Sequence, residues 1–296
     1  MEKIGIDVHK TASQVCILTE TGEVLERRIQ TSRESLSRHL GNREAARILI
    51  EASTESEWVA RCLEQLGHEV VVADPNFAPM YATRSRRVKT DRRDARALCD
   101  ACHLGAYRPA HRSTDGSRDR RARLAVREVL VGMRTKMISL VRALVRGQGL
   151  RIPSGGAVTF ARRLSKVELS KELAEQAAPL LSVLETVNEQ LRAADASLEQ
   201  AARDDVLVQR LCTARSVGVG PVTAVTFVAT VDQVERFESA KALRCLVKWA
   251  ERIAARRGKR IAAVALARKL AGILYAMWRD GTRFGEVTGN AAKAAA

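Results

Sequence analysis

Aromatic residues and long apolar runs are both scarce in this chain. Only 4% of its 296 residues are aromatic, so the sequence does not indicate a platform on which single-stranded bases stack. It contains no apolar run of the roughly 18 residues that a membrane-spanning helix needs, and its first ten residues, MEKIGIDVHK, lack the pattern of a cleavable signal. The hydrophobic fraction of 46% is nevertheless typical of a globular protein. We therefore expect a folded cytosolic protein.

The cysteines also lack a recognisable framework. Six are present, and their spacing does not resemble that of a disulfide-stapled domain. The string CDACH at residues 99–103 matches the haem-attachment pattern C-x-x-C-H, and it offers three of the roughly four ligands of a structural zinc site. Because the string lies in a stretch predicted to be helical and export is not indicated, we interpret Cys99 and Cys102 as small packed residues.

Acidic residues are outnumbered by basic ones. The chain has 50 lysines and arginines against 34 acids, which gives a net charge of +16. Such an excess favours a polyanionic partner, of which nucleic acid is the commonest and an anionic membrane surface the alternative.

The first 110 residues alternate between strand and helix patterns. Three β-rich runs joined by short turns (KIGIDVH, SQVCILTE and GEVLERRIQ) predict an antiparallel meander. A helix capped by Ser32 and ended by Gly41 follows, then the strand ARILIEAS, the helix SEWVARCLEQLG and the strand HEVVVADP. The next helix is predicted from TDRRDARALCDACHLG. This order predicts an α/β domain over residues 1–110, with a mixed sheet of RNase-H-like strand order.

Residues 111–205 have no strand pattern and are predicted to form a helical arm. Two long charged stretches, RARLAVREVLVGMRTKMISLVRALVRGQGL and KELAEQAAPLLSVLETVNEQLRAADASLEQAARDD, are separated by the linker IPSGGAVTF. In the second stretch, apolar residues recur at intervals of three, four and seven: Leu180, Leu184, Val187, Leu191 and Leu198. This periodicity predicts an antiparallel helical hairpin or coiled coil, which serves as a dimerisation arm or as part of an ordinary helical bundle.

Residues 206–296 are predicted to form a small all-α domain with two features suited to binding nucleic acid. Gly218 and Gly220 lie in a helix-hairpin-helix-like turn, SVGVGP, whose backbone N–H groups are suited to holding a phosphate. A basic cluster suited to nucleic-acid backbones follows: Arg252, Arg256, Arg257, Lys259 and Arg260. A plain helical connection and a solvated helix face are the respective alternatives.

Four carboxylates occur on separate predicted elements. Asp7 lies within the first apolar strand, Glu51 ends the strand RILIE, and Asp91 and Asp94 are three residues apart on one helix face. Each has an ordinary alternative as a helix cap, an ion-pair partner or a surface acid. If they converge at one edge of the sheet, they supply the oxygen ligands that two Mg²⁺ ions need for phosphoryl transfer. We therefore predict a Mg²⁺ site formed by these four residues.

The strings IGIDVHK, LIEAS and RRVKTDRRDARAL together resemble the N-terminal domain of IS110-family transposases. The resemblance resumes in SVGVGPVTAVTFVATVDQVERFESAKAL and in VALARKLAGILYAMWRDGTRF, and so covers nearly the whole chain. It implies a RuvC-like domain whose D-E-D-D tetrad corresponds to Asp7, Glu51, Asp91 and Asp94. It further implies DNA as substrate, metal-dependent strand cleavage and exchange, nucleoid association, a homo-oligomer (dimer or tetramer) formed through the arm and, as in some members, a noncoding guide RNA.

One departure from the family pattern concerns its serine nucleophile. In the family, a stretch between the RF-S-L helix and the closing helices carries a Ser-Gly segment, whereas here FESAKALRCLVKWAERIAARRG connects the two directly. Ser216 and Ser239 do not match the nucleophile's position, so we expect an internal deletion in the C-terminal domain. The alternatives are therefore a RuvC-like structure-selective nuclease and an inactive binder of DNA or RNA.

Overall fold

A computed structural model describes residues 1–81, 90–214, 219–237 and 261–284 of the chain. The chain divides into two compact units, of which the first spans Met1–Arg112 and the second begins at Ser113. In the described ranges, no helix is both long enough and apolar enough to span a membrane.

The first unit is built on a mixed five-stranded sheet in the order β3-β2-β1-β4-β5. The antiparallel meander predicted from the sequence is present, and β4 and β5 run parallel to β1. The predicted α/β architecture is therefore confirmed. The strands are β1 (Lys3–Asp7), β2 (Ala12–Leu18), β3 (Val24–Gln30), β4 (Arg47–Glu51) and β5 (Glu69–Ala73).

Helices cover both faces of this sheet. On one face, strand residues such as Ile4 and Ile48 pack in a single apolar cluster with Leu36 and Leu63 of α1 (Arg33–Leu40) and α2 (Ser56–Gln65). Helix α1 begins after Ser32, whose hydroxyl accepts a hydrogen bond from the Ser35 N–H. The opposite face packs against α3 (Asp91–Leu104) and a 3₁₀ turn (Ala78–Tyr81).

Helix α3 lies unusually close to β1, because the strand has a glycine at the crossing. A Cβ atom at Gly5 would lie 2.2 Å from the Cys99 nitrogen and 2.3 Å from the Ala95 carbonyl oxygen. The cysteines of the CDACH string add to this packing, since the Cys99 thiol donates to the Lys3 carbonyl at 3.2 Å and the Cys102 thiol to the Arg47 carbonyl at 3.4 Å. Both are buried free thiols, as expected of packed residues.

The described part of the second unit is helical. Its helices are α4 (Asp115–Gly147), α5 (Phe160–Leu164), α6 (Lys171–Asp204), α7 (Val206–Cys212), α8 (Pro221–Val231) and α9 (Ile261–Arg279). The long helices α4 and α6 pack along each other. Four of the periodic residues predicted on α6 are buried, and Leu180 is partly buried.

The connection between α4 and α6 is more structured than predicted. The last residue of the predicted linker, Phe160, begins the short helix α5 and is fully buried. Its ring packs among Val145, Leu164 and Leu173. A buried aromatic ring ties this connection to the arm, whereas a free linker would leave it exposed.

Candidate metal centre

Two of the predicted acids end neighbouring parallel strands. Asp7 is the last residue of β1 and Glu51 the last of β4, and the residues before them, Ile6 and Ile50, are partners in the parallel register. Because side chains alternate along a strand, both acids lie on the face that also carries Gly5 and packs against α3. The sheet therefore places both carboxylates at one edge and on one face.

The other two acids come from the first turn of α3, which begins after its cap, Thr90. The contact of Gly5 with Ala95 sets the register between helix and strand. Asp7 lies two residues beyond Gly5 along β1, a distance of about 6.6 Å. Asp91 lies one helical turn, about 5.4 Å, before Ala95 along α3. The close crossing at Gly5 thus brings the start of α3 to the end of β1.

His9 completes the cluster, although it was not among the site residues predicted from the sequence. Its Nε2 atom lies 3.1 Å from an Asp7 carboxylate oxygen and 3.4 Å from an Asp91 carboxylate oxygen. One ligand atom from each of the three residues lies within 4.8 Å of the other two. The spacing of His9, two residues after Asp7 in an extended chain, could have indicated that both side chains point the same way.

An open cavity of about 570 Å³ gathers three of the acids. It is lined by Asp7, Glu51 and Asp94 together with His9 and Tyr81, among others. The Tyr81 hydroxyl donates a hydrogen bond to Glu51 Oε2 at 2.5 Å, which fixes one oxygen of that carboxylate. Asp7 belongs both to this lining and to the cluster with His9 and Asp91, so all four predicted acids are grouped around it.

The electrostatics of the cluster favour a bound cation. Burial raises the pKa of Asp7, and the nearby Asp94 and Asp91 carboxylates raise it further, while His9 acts in the opposite direction. Asp94 is also buried. Grouped carboxylates are the ligands that a hard divalent cation such as Mg²⁺ prefers, whereas imidazole is a less typical ligand for it. The donor set therefore fits such a cation at the acids, with His9 as a partner of the carboxylates.

The other predicted site residues are only partly described. Gly220 is extended and directly precedes Pro221, the first residue of α8. Gly218, the basic cluster at 252–260, Ser216 and Ser239 lie outside the described residues.

The sequence of both units matches known families. A model of the DEDD-type IS110 transposase domain matches residues 4–148, a span that contains all four acids, and a model of the IS116/IS110/IS902 transposase family matches residues 212–250. The chain belongs to the IS110 family of transposases. The loss of a serine-bearing segment from this IS110-family chain stays a prediction.

The relatives that this chain matches are longer than the chain itself. The chain is 30% identical over 229 residues to the transposase for insertion sequence element IS1328 of Yersinia enterocolitica, an alignment that covers 75% of the chain and 65% of the relative. It is 26% identical to a probable family 20 transposase of Pseudomonas aeruginosa (81% and 71% covered) and 25% identical to the transposase for IS1111A of Coxiella burnetii (82% and 67% covered). The chain therefore spans about two thirds of the length of these relatives.

Proposed function

We propose that the chain is a DNA transposase of an insertion sequence, which cuts and exchanges DNA strands in a Mg²⁺-dependent reaction. The observation that carries this proposal is the grouping of Asp7, Glu51, Asp91 and Asp94 at one sheet edge. The net charge of +16 supports a nucleic-acid substrate.

In this proposal the four acids hold the metal. When bound, Mg²⁺ supplies positive charge at the scissile phosphate and lowers the pKa of the attacking hydroxyl. Tyr81 keeps Glu51 in place through its short hydrogen bond, and burial restricts Asp94 to few orientations. His9 contacts both Asp7 and Asp91 and so holds their carboxylates towards each other.

Binding of the DNA backbone is assigned to the second unit. We propose that Gly218 and Gly220 present backbone N–H groups to phosphates, and that the basic cluster at 252–260 adds charge contacts. The position of Gly220 directly before α8 supports its part, because the first turn of a helix has N–H groups without helical partners. A guide RNA stays a second proposed partner.

A RuvC-like nuclease is the second candidate function. The direct connection FESAKALRCLVKWAERIAARRG favours it, because a serine nucleophile is not identified in this sequence. The same four acids would then promote attack by water, and the products would be cut strands without a protein–DNA adduct. A chain that only binds DNA or RNA would produce neither rejoined nor cut DNA.

Excision in cells tests the proposal. The gene is expressed with its flanking noncoding DNA, and sensitive PCR detects the rejoined donor and the excised circle. We expect both junctions, because the acids are grouped and two family models match. Purified protein is incubated in parallel with branched DNA and Mg²⁺ or with EDTA. Cut branched DNA without junctions would contradict the transposase function and support the nuclease. The absence of both products would contradict both functions.

The arm carries a surface that fits a second copy of this chain. On α4, Val126, Val129, Met133 and Leu140 are between 43% and 63% exposed. Their intervals of three, four and seven residues place them on one side of the helix, away from the buried Val141 and its neighbours. Such a stripe is the seam through which like helices pair in a coiled coil. We propose that the protein forms a homo-oligomer, a dimer or tetramer, through this stripe.

Replacing Val129 and Met133 together by glutamate is expected to separate the copies. Carboxylates at the seam would have to be buried or face each other, which costs more than the lost apolar contact. Light scattering should give at least twice the chain mass of 32.5 kDa for the natural protein and the single-chain mass for the variant. Leu104→Glu, at an exposed leucine on α3, is the control and should leave the mass unchanged. An unchanged mass for the double variant would contradict the stripe as the interface.

A further inference from the structure

A second open cavity lies at the end of the arm, and the proposed chemistry does not use it. Its volume is about 760 Å³. Ser139, Arg142 and Arg146 of α4 form one wall, and Arg151 and Ser154 of the loop that follows α4 form the other. Among the residues that the structure describes, the lining holds three arginines and two hydroxyl groups and no carboxylate.

The loop wall is held by a buried arginine. Arg163 of α5 is only 8% exposed and donates hydrogen bonds to the carbonyl oxygens of Pro153 and Gly156. Its guanidinium carbon also lies 5.9 Å from the centre of the Phe160 ring. These contacts hold the loop at residues 153–156 in place against α5.

The three cavity arginines differ from several arginines in the first half of α4, which form ion pairs. Arg123 pairs with Asp119 and Arg127 with Asp195. In the described part of the chain, no ion pair is formed by Arg142, Arg146 or Arg151. The three positive charges repel one another, and a bound anion between them would offset this electrostatic repulsion.

The polar side chains on the α4 wall of the cavity are spaced in a way that suits an extended anion. Ser139, Arg142 and Arg146 are spaced three and four residues apart, so they follow one helix face over about 10.5 Å. That length corresponds to about three steps of a nucleic-acid strand at 3.4 Å each. Arg142 is fixed by its contact with the buried Phe160 ring, 5.7 Å from the ring centre. None of the described residues that line the cavity has an aromatic side chain on which a base could stack.

We propose that this cavity binds the phosphodiester backbone of a nucleic acid, independently of base sequence. The proposal rests on the proposed function, since it adds a backbone-binding site to a protein that acts on DNA. Arginine and serine side chains contact phosphate oxygens with charge-assisted and neutral hydrogen bonds, respectively. The site would hold the strand at the arm, in addition to the contacts assigned to Gly218, Gly220 and the basic cluster at 252–260.

The test compares two variants of the full chain that lose the same charge. One is Arg142→Gln/Arg146→Gln/Arg151→Gln, and the control replaces three exposed or paired arginines outside the cavity by glutamine: Arg123, Arg192 and Arg203. Fluorescence anisotropy measures the Kd for a labelled duplex DNA and for a single-stranded RNA over a series of salt concentrations. We expect the cavity variant to bind about 10- to 100-fold more weakly, with a salt slope smaller by about two to three. The control should bind within about threefold of the natural protein.

Weaker binding of the cavity variant to DNA, to RNA or to both supports the proposal. Which of the two nucleic acids binds more weakly shows whose backbone the cavity holds. Equal weakening of cavity and control variants would overturn it, because net charge alone would then explain binding. Binding by the natural protein that the cavity variant retains would also overturn it and leave the proposed function intact. Absence of any binding by the natural protein would overturn both. The double variant Arg146→Gln/Arg151→Gln keeps the Arg142–Phe160 contact. It should still lose most of the affinity that the triple variant loses, which separates an effect on binding from an effect on folding of the arm.

Discussion

Replacing Asp7 by asparagine is expected to abolish metal-dependent DNA cleavage and excision. Asp7 lies at the centre of the acid cluster, because it lines the cavity with Glu51 and Asp94 and meets His9 and Asp91. Asparagine preserves the shape of the side chain but removes the charge and one oxygen. Removing a residue that hydrogen-bonds a metal ligand typically lowers metal affinity or activity roughly 10- to 100-fold. Loss of a central ligand should therefore lower the cleavage rate at least about 100-fold.

Thermal unfolding separates this loss of ligation from a loss of structure. The folded state raises the pKa of Asp7 through burial and neighbouring carboxylates, so ionisation of Asp7 weakens the metal-free fold as the pH rises through that pKa. Asparagine removes this cost, and the metal-free variant should melt at the same or a higher temperature. Mg²⁺ at about 100 times its Kd should stabilise the natural protein by about 2.7 kcal/mol and the variant far less.

Asp100→Asn is the matched control for Asp7→Asn. Asp100 lies on α3 but is not part of the cavity lining, so this variant should keep both cleavage and the response to Mg²⁺. Cleavage that persisted in Asp7→Asn would refute the assignment of the metal site. Loss of cleavage in both variants would indicate that α3 tolerates no change of charge, and the role of Asp7 would then be unproven.

Replacing Gly5 by alanine is expected to unfold the first unit or to destabilise it by about 3 kcal/mol, the upper part of the range for overpacking. The added Cβ would meet backbone atoms of Cys99 and Ala95 at 2.2–2.8 Å. Backbone atoms of a helix cannot rotate away, so α3 must move off β1. The same movement would carry Asp91 and Asp94 away from Asp7, and the response of the melting temperature to Mg²⁺ should weaken even where the fold survives.

Gly132→Ala is the control for Gly5→Ala, because a Cβ at Gly132 in α4 would meet no atom within 4 Å. Alanine in a helix interior is favoured over glycine by up to about 1 kcal/mol, so this variant should be neutral or stabilised. Chemical denaturation followed by circular dichroism measures both. A Gly5→Ala protein as stable as the natural one would contradict the close crossing of α3 on β1.

The sequence determined much of the first unit because its apolar patterns are local. Alternation in KIGIDVH and the continuous run in RILIE indicate strands, and Ser32 marks the start of α1, since a hydroxyl before a helix satisfies a free N–H. The strand order follows from short turns and two crossovers. The four acids could be selected because carboxylates at strand ends and in a first helical turn are conspicuous in otherwise apolar elements.

Only the tertiary structure decided which side chains surround those acids. Tyr81 reaches Glu51 across 30 residues of sequence, and His9 bridges Asp7 and Asp91. The contact between His9 and Asp91 depends on the crossing of α3 and β1 at Gly5. The arginine-lined cavity of the arm likewise needs α4 and a loop to fold back on each other around Phe160. Sequence patterns report which face of an element is apolar. They carry no information on the distance between polar groups of different elements, because that distance is set by packing over the whole unit.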